Sequence, residues 1–253
     1  MSAITEDVKA ILAFINCDYE LYNGENDQEE ILGRYHELAK QGRSEGFYPL
    51  IILPSIQLAE IMEYLDEFIA GLDPDGLTDD TAAHRRLMIE KADETTGTEQ
   101  LSARLDHVVK WVGVESEELM GHFESAEPVD SLTTEVFTYG TDKVVVIAKI
   151  PAKAPWELAA WVPMGGFNDC PDPVQQVAIF RYWHEKYGAV PAMVSCDVWQ
   201  LILTNPPATD DEAELLAQEH FAFCPDSVLQ GAETIRILAS QLKDSTAWYF
   251  WWD

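Results

Sequence analysis

The segment Trp248-Tyr249-Phe250-Trp251-Trp252-Asp253 sets five aromatic side chains in a row, and it restricts the possible folds more than any other stretch. At strand spacing, Trp248, Phe250 and Trp252 share one face, while Tyr249 and Trp251 share the other. Each ring removes about 150–250 Å² from water when buried. Rings on both faces predict a strand covered on both sides, so this strand is expected to be central in its sheet. Seven of the eight tryptophans lie beyond residue 150, which makes the second half the expected place for a pocket.

The rest of the chain alternates helical and strand patterns. Val8, Ile11, Leu12 and Ile15 repeat at helical spacing, and a polar turn follows at Asn23-Gly24-Glu25-Asn26. Asp27 precedes Glu30 by three, the spacing of a capping box, and opens a helix that ends near Gly42. Residues 47–53 read as a buried strand, with Pro49 confining its start to an edge or to the first residues. Ser55 caps one helix expected to run from Leu58 through Ile69 to Gly71. Residues 72–100 read as a turn-rich connection with a short helix at 81–91, and a further helix covers about 99–111.

In the second half, Glu135–Tyr139 and Lys143–Ile150 flank Gly140-Thr141-Asp142 and predict a hairpin. A short helix is expected from Pro155 to Trp161. Asp172-Pro173 starts a longer one that ends at Gly188. Val190–Ser195 and Val198–Thr204 predict a second hairpin around Cys196-Asp197. Thr209 with Glu212 forms a capping box for a helix stopping before Pro225, and the last helix spans about 231–243. The fold class expected is α+β, a mixed or largely antiparallel sheet packed against helices. A soft boundary divides an acidic helix–strand–helix region, 1–130, from an aromatic-rich region, 131–253. One continuous domain satisfies the same pattern.

Charge limits the partners. The chain carries 16 basic and 45 acidic residues, a net of −29. Such a field repels phosphate backbones and anionic lipid surfaces, so neither nucleic acid nor membrane is expected as a partner. A basic protein would instead be attracted and steered. No stretch is long and apolar enough to span a bilayer, and the first residues lack a basic leader and cleavage site. A cytoplasmic location is therefore expected, and with it free thiols at Cys17, Cys170, Cys196 and Cys224.

Few constellations carry chemistry. Gly165-Gly166-Phe167-Asn168-Asp169-Cys170-Pro171 precedes a helix but follows neither phosphate-loop spacing, so a tight turn closed by an Asp cap is expected. Cys170, His184, His220 and Cys224 are the one set with zinc- or thiol-type donors. Their spacing matches no zinc finger, and Pro225 ends the helix beside Cys224, so neither metal nor cofactor is assigned. Arg181, Lys186 and Arg236 are expected to pair with nearby carboxylates such as Glu185 and Glu233. His36, His84, His107 and His122 read as surface residues.

Four spaced strings agree in order with one family pattern. They are Gly166-Phe167-Asn168-Asp169-Cys170-Pro171; Arg181-Tyr182-Trp183 with Lys186-Tyr187-Gly188-Ala189; Phe221-Ala222-Phe223-Cys224-Pro225-Asp226 with Gln230-Gly231; and Trp248 to Asp253. Over about residues 150–253 the chain resembles the bacterial domain-of-unknown-function 4253 family. Gly46-Phe47-Tyr48-Pro49-Leu50-Ile51 is similar to the strand that often precedes that domain. The resemblance implies a cytoplasmic bacterial protein and brings no activity with it; His220 is not a position of its pattern.

The candidate pocket residues are Asn168, Asp169, Cys170, Arg181 and Trp183 from the earlier strings, and Cys224, Asp226, Gln230 and Trp251 from the later ones. No residue is assigned a catalytic role. The charge, together with the lack of a catalytic signature, predicts a non-enzymatic binding protein, immunity-type or regulatory, that neutralises a basic partner. The alternative is a hydrolase-like small-molecule enzyme with a Cys- and Trp-lined site near Cys170, Trp183, Cys224 and Trp251.

Overall fold

The structure is a computed structural model that describes residues 4–73, 80–113 and 116–253. In chain order it runs α1 (Glu6–Ile15), β1 (Tyr19–Asn23), α2 (Gln28–Glu45), β2 (Tyr48–Ile52), α3 (Ile56–Glu63), α4 (Leu65–Leu72), α5 (Thr81–Asp93), α6 (Gly97–Val112) and α7 (Ser116–Met120). It continues with β3 (Val144–Ile150), α8 (Leu158–Trp161), α9 (Pro173–Tyr187), β4 (Val190–Val194), β5 (Val198–Ile202), α10 (Asp210–Phe223), α11 (Ile235–Leu242) and β6 (Ala247–Trp251). Within the connection expected at 72–100, the short helix forms as α5 and α6 already begins at Gly97, while residues 74–79 lie outside the described residues.

The six strands form one mixed sheet in the order β1-β3-β2-β4-β5-β6, so the α+β expectation holds. Only β2 and β4 run parallel, and their pairing begins at Ile51 and Ile52. Pro49 therefore lies ahead of the parallel ladder, where its missing N–H costs no bond to β4.

Both faces of the sheet are covered. Leu50, Ile52, Val146, Ala148, Trp199 and Phe250 point into the larger core, beneath helices such as α1, α6, α9 and α10. Ile51, Val145, Ile147 and Met193 point the other way, against Ile31, Tyr35 and Leu38 of α2 and against Phe137. This two-sided cover explains the near-continuous apolar run of β3.

Three expectations need correction. First, β6 is an edge strand and not a central one. Trp248, Phe250 and Trp252 are buried on one face, but Tyr249 on the other is 43% exposed. Aromatic density marks large burial on one face, and the second face needs none. Second, Glu135–Thr138 forms a 3₁₀ turn rather than a hairpin strand. Val136 and Phe137 are neighbours and both buried, which strand alternation forbids for a one-sided edge, and β3 pairs with β1 and β2 instead. Third, the helix after Ser55 breaks at Tyr64 into α3 and α4.

Strand β1 escaped the sequence reading because its residues are half-exposed and its apolar pattern is weak. The last helix begins later than expected, at Ile235, because Ser227–Ala232 forms a π-helical turn. The second hairpin, β4–β5, and the capped helices α9 and α10 form as expected.

Candidate functional site

The two parallel strands stop together. Leu53 and Ser55 follow β2, Ser195 and Cys196 follow β4, and between them opens a cleft of about 870 Å³. Ligands of open sheets often sit outside the carboxyl ends of parallel strands. The cleft continues to the residues before α9 and to the end of β6, which supply Asn168, Asp172 and Trp251.

Its chemistry is one-signed. Glu60, Glu67, Asp172, Asp197 and Asp253 line it, and among the described residues no lysine, arginine or histidine does. Tyr64, Phe68, Tyr139, Phe167, Trp251 and Trp252 supply the aromatic surface. Tyr64 and Tyr139 are 63% and 69% exposed, so they stand at the mouth. The buried Trp252 carries an indole Nε1–H without a hydrogen-bond partner among the described residues.

Local sequence fixes this geometry. Asp172 caps α9, accepting from the Gln175 amide at 2.9 Å while Gln175 Oε1 accepts from the Asp172 amide at 3.2 Å. The helix N-terminus is thus closed by its own carboxylate, as the tight-turn reading expected. Burial pushes the Asp172 carboxyl above the usual range, although the Gln175 and Val174 amides and Arg104 pull it down. The loop before it turns through left-handed backbone at Gly165, Gly166, Asn168 and Asp169. A Cβ at Gly165 would sit 2.1 Å from the Pro171 oxygen, so only glycine lets the loop fold this tightly. In the β4–β5 turn, Asp197 Oδ1 accepts from Ser195 Oγ at 2.7 Å and from Cys196 Sγ at 3.5 Å, which orients that carboxylate toward its own turn.

The candidate residues from the sequence distribute around this cleft. Asn168 and Trp251 line it. Trp251 also borders a smaller pocket of about 260 Å³ with Asp226 and Gln230, where Gln230 Nε2 donates to Asp226 Oδ1 at 2.9 Å. The Asp253 amide donates to Asp226 Oδ2 at 3.1 Å, and Cys224 Sγ donates to the Trp251 carbonyl at 3.0 Å. The aromatic tail is thereby tied to the second Cys-Pro-Asp turn. Both turns meet through Arg104 of α6, whose Nε donates to the Ala222 carbonyl at 3.0 Å and whose Nη2 donates to the Asp169 carbonyl. Asp169 also faces His107 Nε2 at 3.6 Å.

The remaining candidates serve the core. Trp183 is fully buried, stacks on Phe250 with centroids 5.5 Å apart, and donates Nε1–H to Glu219 at 2.9 Å. Arg181 pairs with Asp93 at 2.6 Å, Lys186 with Glu219 at 3.0 Å and Arg236 with Glu214 at 2.7 Å. These partners come from other elements, not from the nearby Glu185 and Glu233 that the sequence suggested.

The cysteines are free thiols. Burial pushes Cys224 up to about 12 and raises Cys170 well above the ordinary thiol value, so both stay protonated at neutral pH. His184 Nδ1 lies 2.9 Å from the Ala189 carbonyl, and His220 sits among Trp183, Trp248 and Phe250. Burial lowers His220 to about 3, so it is neutral. Among the described residues, no three His, Cys, Asp or Glu side chains are grouped to hold a metal ion. His84 is buried, 3.7 Å from Asp66, and is not a surface residue.

The sequence reading missed Glu60, Glu67, Asp197, Tyr64, Phe68 and Tyr139. They come from separate elements, and no motif joins them. The usable signal was positional, since Asp197 lies in the short turn after β4, at the end of the parallel pair. No helix of the described residues is long and apolar enough to cross a membrane.

No curated protein and no solved structure matches this chain. The part that holds β4, β5, β6 and both Cys-Pro-Asp turns, residues 146–253, matches the model of a family described as a domain of unknown function, DUF4253.

Proposed function

We propose that the protein is a non-enzymatic binding protein, immunity-type or regulatory, acting in the cytoplasm, whose acidic cleft receives cationic side chains of a basic protein partner. The observation that carries this reading is the cleft lining, five carboxylates and six aromatic rings with no basic residue. Carboxylates favour arginine or lysine heads, and aromatic faces add cation–π attraction of about 0.5–1 kcal/mol at exposed sites. The net charge of −29 would steer such a partner inward.

The hydrolase-like alternative loses support from the state of its thiols. Cys170 and Cys224 are buried and protonated, and burial also raises Cys196, the cysteine that lines the cleft. Among the described residues, no histidine or lysine lines the cleft to activate it.

The test is calorimetric titration of the full chain with a hexa-arginine peptide and its hexa-citrulline counterpart. Binding of the first and not the second is expected, weakened by about tenfold in Glu60→Gln/Glu67→Gln, which removes two charge-assisted contacts. The exposed pair Glu127→Gln/Asp130→Asn, outside the cleft, should leave affinity unchanged. Equal weakening by both pairs would mean the peptide reads overall charge, and the cleft assignment would fall.

A further inference from the structure

The sheet has a second opening at its other end. It lies where β2 and β4 begin and β5 stops, encloses about 470 Å³, and is bordered by Tyr48, Val190 and Ile202. Its lining holds Lys40, Arg43, Lys153 and His36 and, among the described residues, no carboxylate. That is unexpected in a chain with almost three acidic residues for every basic one.

The pairing of the cations makes the contrast sharper. Of the 16 lysines and arginines, ten make ion pairs among the described residues. Arg85 and Arg104 instead hold backbone carbonyls. Lys40, Arg43, Lys110 and Lys153 remain, with no ion pair or side-chain hydrogen bond among the described residues, and three of these four line one pocket. Lys40 and Arg43 are three apart on α2 and so share a face, while Lys153 arrives from the segment after β3.

The alternative account is helix-end electrostatics, because Arg43 lies in the last turn of α2. It leaves Lys153, which belongs to no helix, unexplained. Two of the carbonyls at the neighbouring helix ends are also already engaged. The Gly42 oxygen accepts from the Gly46 and Phe47 amides at 2.8 and 3.2 Å, and the His184 oxygen accepts from the Gly188 amide at 2.9 Å. The pocket walls include the apolar surfaces of Tyr35, Phe47 and Pro49. A volume of this size suits a small organic ligand.

We propose that this pocket binds a small organic anion, its phosphate or carboxylate head held by Lys40, Arg43 and Lys153 and its flat apolar body against Tyr35 and Phe47. The site stands apart from the acidic cleft and does not depend on the function proposed there. The inference is of binding alone.

The experiment is titration of the full chain at low salt with phenyl phosphate, benzoate, inorganic phosphate and benzylamine, followed by amide chemical shifts. Phenyl phosphate, benzoate or both should bind, shifting the amides of Lys40, Arg43 and Lys153, and inorganic phosphate should bind more weakly. The aromatic anion preferred identifies the head group. Lys40→Gln/Arg43→Gln/Lys153→Gln should weaken binding by about tenfold or more, through loss of charge-assisted contacts. These side chains are exposed and unpaired, so the variant should fold as the parent does. Lys110→Gln, the unpaired cation outside the pocket, should change nothing. Absence of anion binding, equal affinity for benzylamine, or binding indifferent to the triple substitution would overturn the proposal.

Discussion

The two ends of the sheet are built alike and charged oppositely. At one end the strands open on Glu60, Glu67 and Asp197 without a cation; at the other they open on Lys40, Arg43 and Lys153 without an anion. The difference teaches that a net charge of −29 describes the average surface and not its local chemistry. The same strands β2 and β4 reach both openings, so the two sites share a frame while differing in ligand class.

The largest expected effect is one that breaks both ends together. Trp183→Ala removes a fully buried ring that contacts Phe180, Phe223, Trp248 and Phe250. It should cost about 3–5 kcal/mol in urea unfolding and weaken hexa-arginine and phenyl phosphate binding alike. Retention of one binding activity with loss of the other would show that the ends do not share a core.

Acid should act on the frame before it acts on either opening. His220 is neutral when folded, with its value lowered to about 3, whereas an unfolded histidine titrates near 6.5. Below about 6.5 the unfolded chain binds the proton and the folded chain does not. Stability is therefore full above that value and falls toward about pH 3, by about 1.4 kcal/mol per pH unit. His220→Leu should remove this component from the pH dependence of the urea midpoint, and an unchanged acid slope would refute it.

Single glycines should separate the two ends. Gly188 has φ +64, and a Cβ there would lie 2.0 Å from Thr204 Oγ1 in the wall of the basic pocket. Gly188→Ala should cost about 1–3 kcal/mol and impair phenyl phosphate binding alone. Gly165→Ala, at φ +124, is its counterpart for the acidic cleft and should impair hexa-arginine binding alone. The smallest effect belongs to the rim. Tyr139→Ala should leave stability within about 0.5 kcal/mol, as for an exposed side chain, yet weaken hexa-arginine binding by about 0.5–1 kcal/mol. An affinity that does not move would place the cation away from Tyr139.

Much of the architecture was legible because local signals agreed with tertiary demand. Asp172-Pro173 and Thr209 with Glu212 placed the starts of α9 and α10, since capping chemistry is local. The face assignment of Trp248, Phe250 and Trp252 held because alternation is a property of the strand itself. The position of β6 in the sheet did not follow, because strand order depends on distant partners. Strand β1 was hidden for a related reason: an edge strand with half-exposed residues needs no strong apolar pattern.

Of the candidate site, the loop through Asn168 and the aromatic tail at Trp251 were legible as motifs. Glu60, Glu67 and Tyr139 were not, being ordinary surface types until the fold sets them around one space. Arg104 and Arg85 left no trace for the same reason. Each is an arginine on a helix whose carbonyl partner lies 65 or more residues away.

The Arg104 fork has a practical consequence for dissecting the chain. The family region begins at residue 146, yet the donor that staples its two Cys-Pro-Asp turns comes from α6, and both sheet neighbours of β3 precede that point. A fragment cut at the family boundary would leave the Asp169 and Ala222 carbonyls without their guanidinium and strip β3 of its ladders on either side. Transplanting the region into another host would therefore require carrying α6, β1 and β2 along as its foundation.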